Sequence, residues 1–339
     1  MGRHRQLGVL SFAAALVAAA PAGALELSFP VACDPGNDCA IQHYVDRDPG
    51  PDAIDYRCGH QTYDGHNGTD VRIPTLRDMT AGVAVLAAAA GTVARVRDGM
   101  PDVIYDKEAP GTVADRECGN GVVIDHGGGW ETQYCHMKLG SIRVAPGQAV
   151  DAGGVLGEIG LSGMTEFPHL HFSVRKDNVT LDPFATKGLS VGAACAVAGD
   201  GDTGLWSADA AQMLGYRPAF VLNAGFAEGV VTMEQVEAGD PEGAIPGRES
   251  PALVFFGRAI GLEAGDIQTV RVVGPDGSVF AENDLAPLDR PMAQYFAFAG
   301  RKRHDAPWPA GTYSGRYSVI RDGKEIAFRD VRLEIRDAP

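Results

Sequence analysis

The chain has 339 residues and a hydrophobic fraction of 45%, which is enough for two ordinary domains with buried cores. It carries 29 lysines and arginines against 44 aspartates and glutamates, a formal net charge of −15. This acidic balance excludes a typical nucleic-acid binder, which needs clustered positive charge to displace the counterions of phosphates. It also argues against a protein held by charge on an anionic membrane or wall.

Residues 1–24 have the pattern of an export signal. Arg3 and Arg5 precede an apolar run over 7–20, and residues 22–24 (AGA) form a small-residue cleavage site. The run is short for a spanning helix, and no later stretch approaches the roughly 18 apolar residues that one needs. We therefore predict an exported mature protein without a membrane span, located in the periplasm or outside the cell.

The cysteine content supports an oxidising compartment. Six cysteines follow the signal, at positions Cys33, Cys39, Cys58, Cys118, Cys135 and Cys195. An even number of cysteines in an exported protein predicts disulfides. Cys118 and Cys135 flank a predicted hairpin and are the favoured pair, and Cys33 and Cys39 are close enough to close a small loop. The absence of a CxxC pair disfavours a cysteine zinc site.

The first half of the mature chain divides by composition. Residues 25–62 are polar and broken by proline and glycine, which predicts an irregular lead-in. Residues 63–189 show short apolar runs cut by glycine, without long helical periodicity. Residues 121–125 (GVVID) and 132–137 (TQYCHM) are predicted strands joined through three glycines. This pattern predicts a compact antiparallel β domain.

The second half begins with a mixed stretch at 190–246, which we interpret mostly as a linker with a short helix over 207–214. Residues 247–339 then show several short apolar strands, with hairpin signals at 276–277 and 322–323 (both Asp-Gly). This pattern predicts a smaller immunoglobulin-like β-sandwich. It holds no catalytic cluster, so we interpret it as a structural or docking domain whose partner is unknown. The predicted fold class is all-β.

The histidines that carry chemistry lie in the segment before residue 190. They occur in four short segments: 65–70 (GHNGTD), 125–126 (DH), 134–136 (YCH) and 168–172 (PHLHF). Catalytic zinc takes imidazole and carboxylate ligands and leaves one position to water. On a strand, His169 and His171 would point to the same face, because side-chain direction alternates. Each segment alone is also typical of ordinary surface or core histidines.

The combination of these segments is far more specific than any one of them alone. In this combination the sequence resembles the lysostaphin-type (LytM-domain) zinc endopeptidases. The resemblance covers about residues 63–184. It rests on the HxxxD element at 66–70, the GNxVxIxHG strand element at 119–127, the YxH element at 134–136, the valine and glycine repeat at 144–157, and PHLHF.

The resemblance implies a zinc site and a mechanism. His66, Asp70 and His171 match the zinc ligands of the family, while His136 and His169 match its two non-ligand catalytic histidines. The implied fold is a compact antiparallel β structure with an active-site groove. The implied activity is hydrolysis of peptide bonds in the stems or cross-bridges of peptidoglycan by a zinc-activated water.

Two alternatives remain open at this stage. Some proteins of this type have lost ligands and act by binding or activating other wall hydrolases, although all five positions here carry competent residues. A structural zinc site is the second alternative, but such sites are normally closed by four ligands. Departures from the family pattern occur at Met137, at 165–167 (TEF) and in an inserted loop over 100–117. We interpret His43 and His304 as surface residues.

Overall fold

The computed structural model describes residues 25–109, 111, 113–185, 204–239 and 245–337. Within these ranges, all the named strands pair antiparallel. The α-helices among these residues are short: α1 (Leu76–Ala81), α2 (Ala208–Met213) and α3 (Met233–Ala238). The predicted all-β class is confirmed, and the predicted signal at 1–24 lies outside the described residues.

The first half of the chain forms one large sheet and a small one. Its strands are β1 (Ala40–His43), β2 (Thr69–Arg72), β3 (Ala84–Leu86), β4 (Gly91–Arg97), β5 (Asn120–Gly127), β6 (Trp130–Met137), β7 (Ala149–Val150), β8 (Val155–Glu158), β9 (His169–Lys176) and β10 (Val179–Leu181). The large sheet has the order β1-β2-β9-β6-β5-β4-β7, with β10 added beside β9, and β3 pairs with β8. Strands β2, β9 and β6 are therefore neighbours near the middle.

Alternation along β9 divides this sheet into two faces. Leu170, Phe172 and Val174 are buried in the hydrophobic core, and the intervening His169 and His171 project from the opposite face, as period-two geometry requires. The preceding hairpin is formed as predicted, because the glycines at 127–129 all adopt positive φ angles of 80°, 59° and 82°, a conformation that other residues rarely take.

The lead-in at 25–62 is mostly irregular, as predicted, but it also packs on this domain and contributes one strand. Its strand β1 pairs with β2, and its apolar side chains Leu27, Phe29, Val31 and Tyr44 belong to the same core cluster as the central strands. Scattered apolar residues without periodicity gave no signal of a strand. These residues become buried because they pack against strands formed by distant segments.

The second half contains two further sheets. Its strands are β11 (Phe220–Ala227), β12 (Ala252–Leu262), β13 (Ile267–Val273), β14 (Val279–Asp284), β15 (Met292–Lys302), β16 (Gly311–Arg321) and β17 (Lys324–Ile335). They form a three-stranded sheet, β11-β12-β15, and a four-stranded sheet, β14-β13-β16-β17. Side chains of both sheets share one core, so the region is a sandwich. Both predicted Asp-Gly turns join paired strands, while the immunoglobulin-like topology stays a prediction.

The stretch 190–246 is more than the predicted linker in its described part. Strand β11 belongs to the second sandwich and pairs along β12. Trp206, Ala210 and Leu214 belong to the core of the first domain instead. The predicted helix is present as α2, whose N-cap Ser207 accepts a hydrogen bond from the Ala210 amide. Short segments of this kind take their structure from the cores that they complete.

A buried ionic cluster joins the two halves. Arg72, at the end of β2, donates to Gln42 Oε1 at 2.7 Å and to Glu237 Oε2 at 2.6 Å. Arg258 of β12 also contacts Glu237. Both guanidinium side chains are fully buried, so they need their shared carboxylate. This cluster anchors the second half to the strand that carries Asp70.

The cysteine predictions are confirmed for two pairs. Disulfides join Cys33 to Cys39 and Cys118 to Cys135. Cys58 is also disulfide-bonded, and Cys195 lies outside the described residues. Among the described helices, none has the length and apolar character needed to cross a bilayer.

Candidate metal and catalytic site

Strand pairing brings the HxxxD and HLH segments together. In the β2–β9 register, Asp70 lies opposite His171 and Arg72 lies opposite His169. Directly paired residues project to the same face, so the carboxylate and the imidazoles share one side of the sheet. His66 lies in the turn just before β2 and is 3% exposed.

Three of the predicted site residues converge on one point. His66 Nε2 lies 3.1 Å from Asp70 Oδ1 and 3.2 Å from His171 Nδ1. His171 Nδ1 lies 2.9 Å from the same Asp70 oxygen. Ligand atoms around a tetrahedral zinc at its usual bond lengths are separated by about 3.3 Å. The spacing therefore fits one triangular face of a zinc site.

Hydrogen bonds made by the outer ring nitrogens of His66 and His171 indicate the protonation state of the nitrogens that face Asp70. His66 Nδ1 lies 2.6 Å from the Tyr44 carbonyl oxygen, which can only accept, so this nitrogen is the protonated one. His171 Nε2 lies 3.1 Å from both Asn67 Oδ1 and Ser173 Oγ. In the tautomers with protonated outer nitrogens, the inner nitrogens carry the lone pairs that a bound metal ion would need, next to the negative charge of Asp70.

The carboxylate and the imidazoles of the cluster shift each other's pKa values. Burial acts to raise the pKa of Asp70, but electrostatic interaction with His66 and His169 outweighs it and holds that pKa well below its usual value. Burial acts to lower the pKa of His66, and the Asp70 charge outweighs it, so the pKa of His66 is raised. A carboxylate that is ionised and surrounded by imidazoles is a suitable hard ligand for zinc.

His169 is oriented by the segment that departs from the family pattern. Its Nδ1 lies 3.0 Å from the Phe167 carbonyl oxygen and 3.1 Å from Thr165 Oγ1. Donation from Nδ1 to the carbonyl leaves Nε2 unprotonated, and this atom lies 3.4 Å from Asp70 Oδ1. The unusual residues at 165–167 therefore support the histidine rather than disrupt it.

His136 is held in the same way from the next strand. Its Nδ1 lies 2.8 Å from the Ser162 carbonyl oxygen, which again leaves Nε2 with a lone pair. Its ring centroid is 4.7 Å from that of His169. Burial lowers the pKa of His136 well below its usual value, and His169 and His171 lower it further. The imidazole is therefore neutral near pH 7, with no proton on Nε2.

The backbone of His136 is also unusual. Its φ angle is +59°, in the left-handed region that costs a non-glycine residue roughly 1–2 kcal/mol. Its amide donates to the Cys118 carbonyl oxygen at 2.8 Å, and the adjacent Cys135 is disulfide-bonded to Cys118. A strained backbone conformation of this kind persists only where surrounding contacts hold it in place, and such conformations are common at active sites.

The two histidines of the converging set line an open groove with a volume of about 500 Å³. Its walls combine the inserted loop, through Glu117, with Tyr63 and Asp64 before β2 and with Arg175 on β9. Arg175 donates to Gln133 Oε1 at 2.6 Å. The lining thus includes charged and amide side chains that could hydrogen-bond to a peptide.

One histidine was interpreted incorrectly from the sequence. His43 was predicted to be a surface residue, but its side chain is 14% exposed and its Nδ1 lies 3.0 Å from Asp70 Oδ2. No motif marks it, since it lies far from the other site residues along the chain. His304 is exposed as predicted.

Comparison with known proteins supports the resemblance drawn from the motifs. Residues 64–183 match the family model described as Peptidase family M23. The Cell division protein DipM of Caulobacter vibrioides is 31% identical over 110 residues, which are 32% of this chain but only 14% of that relative. The chain thus corresponds to a small part of the relative's length. Residues 64–183 form an M23-type domain, and the predicted family resemblance is confirmed.

Solved structures with similarity to this chain include two catalytic domains. The catalytic domain of the prophage-encoded M23 protein EnpA from Enterococcus faecalis is 24% identical, with 49% of this chain and all of that chain covered at a TM-score of 0.33. The catalytic domain of lysostaphin from Staphylococcus simulans is 22% identical, with 41% and 85% covered at a TM-score of 0.26.

Proposed function

We propose that this protein is an exported zinc metalloendopeptidase that hydrolyses peptide bonds in the stems or cross-bridges of peptidoglycan. The observation that carries the proposal is the convergence of three acceptor atoms, from His66, Asp70 and His171, within 3.2 Å of one another. Two further imidazoles, His136 and His169, stand beside them without belonging to the triangle. This arrangement supports an open catalytic site over a closed structural one.

The proposed cofactor is Zn²⁺, held by the His66 Nε2, Asp70 Oδ1 and His171 Nδ1 atoms. When bound, zinc supplies Lewis-acid chemistry, which lowers the pKa of a coordinated water toward ~7 and polarises a carbonyl group. The remaining steps of the reaction, including proton transfer, are carried out by side chains of this protein.

The two non-ligand histidines are the proposed proton carriers. His136 and His169 both donate through Nδ1 to backbone carbonyls, so each has an unprotonated Nε2, and that of His169 lies 3.4 Å from Asp70 Oδ1. Either atom can take the proton of the attacking water and return it to the leaving amine. Once protonated, the same N–H can donate to the oxyanion that develops on the scissile carbonyl.

The substrate class rests on the M23 match together with the groove. The match supports a peptidase, and peptidoglycan is the usual target that the family resemblance implies. Export is supported by the signal pattern at 1–24 and by the disulfides at Cys33–Cys39 and Cys118–Cys135, which persist in oxidising compartments. The place of action is therefore the periplasm or the cell exterior.

Digestion of purified peptidoglycan, with mass analysis of the released fragments, tests the proposal. The native protein should release fragments with new amino and carboxyl ends, and removal of zinc by a chelator should abolish the release. His136→Ala and His169→Ala should each retain zinc and fold but lose a factor of about 10² to 10⁴ in rate.

The same experiment separates the enzyme from a catalytically silent module. Sedimentation of the protein with peptidoglycan, without new chain ends, would favour a protein that binds the wall or activates other hydrolases. Normal turnover in both histidine variants would contradict the proposed proton transfer.

A further inference from the structure

His43 reaches the metal cluster from outside the matched family domain. It ends strand β1, and the match begins only at residue 64. A bulge between Ile41 and His43 shifts the β1–β2 register so that His43 pairs directly with Asp70. Paired side chains project to the same face. The lead-in thus adds a histidine to the side of Asp70 that faces away from β9.

The two oxygens of Asp70 have separate surroundings. Oδ1 faces the inner nitrogens of His66 and His171, at 3.1 Å and 2.9 Å. Oδ2 lies 3.0 Å from His43 Nδ1. An ionised carboxylate can only accept hydrogen bonds, so His43 donates its Nδ1–H to Oδ2. Oδ1 of Asp70 is thereby left available to the metal, while Oδ2 accepts the hydrogen bond from His43.

The ring of His43 is held in place by its neighbours. It packs edge-on against Tyr63, at a centroid distance of 5.3 Å, and against His66 at 5.8 Å. Phe167, whose carbonyl orients His169, lies 6.4 Å away. With this packing the donor is preorganised before any metal binds, which lowers the entropic cost of fixing the carboxylate.

We propose that His43 is a positioning residue that holds Asp70 as a one-oxygen ligand and thereby sets the zinc affinity of the site. The proposal rests on the zinc site of the proposed function, and it concerns metal affinity rather than proton transfer. Partners that orient metal ligands typically contribute a factor of about 10 to 100 in metal affinity. His43 is expected to contribute within this range.

Two substitutions of His43 separate its hydrogen bond from its ring. His43→Phe keeps an aromatic ring against Tyr63 and His66 but removes the donor. His43→Asn loses the ring but keeps an N–H near the position of Nδ1. His60→Ala is the matched control, because His60 is exposed and lines the same cleft as His43, beside the second half of the chain.

The readout is the dissociation constant of zinc, measured on the full chain by competition with a chelator, with circular dichroism and thermal melting to establish folding. His43→Phe should bind zinc about 10 to 100 times more weakly while staying folded. His43→Asn and His60→Ala should bind zinc as the native protein does. Native-like zinc affinity in folded His43→Phe would overturn the proposal, and so would equal losses in His43→Phe and His43→Asn.

Peptidoglycan digestion on the same preparations keeps this inference distinct from the proposed function. A native protein that binds zinc but releases no fragments would contradict the peptidase activity and leave the His43 result to be judged by affinity alone. A native protein that binds no zinc at all would overturn both.

Discussion

Gly68 is the residue whose replacement tests the geometry of the site most directly. It lies between His66 and Asp70 and is buried. A Cβ atom at this position would lie 2.6 Å from both Cε1 and Nε2 of His171, and 2.9 Å from the Phe172 carbonyl oxygen. Carbon atoms pack at about 3.5–4.0 Å. In Gly68→Ala, the ring of His171 must therefore move by roughly 1 Å, because the backbone oxygen cannot give way.

A displacement of this size has a large expected effect. Misplacement of a catalytic group by about 1 Å can cost about 100-fold in rate. The moved ring also separates its Nδ1 from the convergence point with His66 and Asp70, so zinc should bind more weakly. We expect Gly68→Ala to remain folded, to lose zinc affinity, and to hydrolyse peptidoglycan about 100 times more slowly even at saturating zinc.

The assay combines zinc titration, fragment release from peptidoglycan, and thermal melting. Gly215→Ala is the control, because Gly215 is exposed and a Cβ atom there would meet nothing within 4 Å. Native zinc affinity and native turnover in Gly68→Ala would refute the assignment of His171 as a ligand. A loss of equal size in Gly215→Ala would show that the effect is unspecific.

Three further predictions concern ligation, the disulfide and the domain boundary. Asp70→Ala should remove zinc, since it deletes the shared oxygen, and full zinc content by elemental analysis would contradict this role. Replacing both Cys118 and Cys135 with serine should lower the free energy of unfolding by about 3 kcal/mol, as expected for a loop of this length, which chemical denaturation measures. The same change should reduce turnover, because the disulfide helps to hold the adjacent His136, and fragment release measures this effect. A chain that ends at Gly188 should melt at a lower temperature than the full chain, because it lacks Trp206 of the first core; an unchanged melting temperature would show that the first core is complete without that residue.

Much of the local structure follows from short-range patterns. The glycines at 127–129 specify a hairpin because positive φ angles are accessible to glycine, and the two Asp-Gly pairs mark turns for the same reason. Alternation in HLHFSVR assigns His169 and His171 to one face of a strand and Leu170 to the core. These rules act over a few residues, so they hold before any tertiary contact forms.

The boundaries of the domains depend instead on contacts between residues that are far apart in sequence. The lead-in and the stretch after residue 189 have weak periodicity, and their apolar residues become buried only where distant strands leave a surface to cover. Arg72 is likewise buried because Glu237 and Arg258 approach it from the second half. Contacts between residues so far apart in sequence depend on packing that no local window contains.

The sequence by itself determined which side chains could form a zinc site, because HxxxD and HLH place suitable ligands at spacings that a turn and a strand bring to one face. Only the tertiary structure decided how Asp70 is held. The approach of His43 depends on the register of β1 against β2, including the bulge after Ile41. Strand side chains alternate between faces, so a slip of one residue would turn His43 away from the carboxylate.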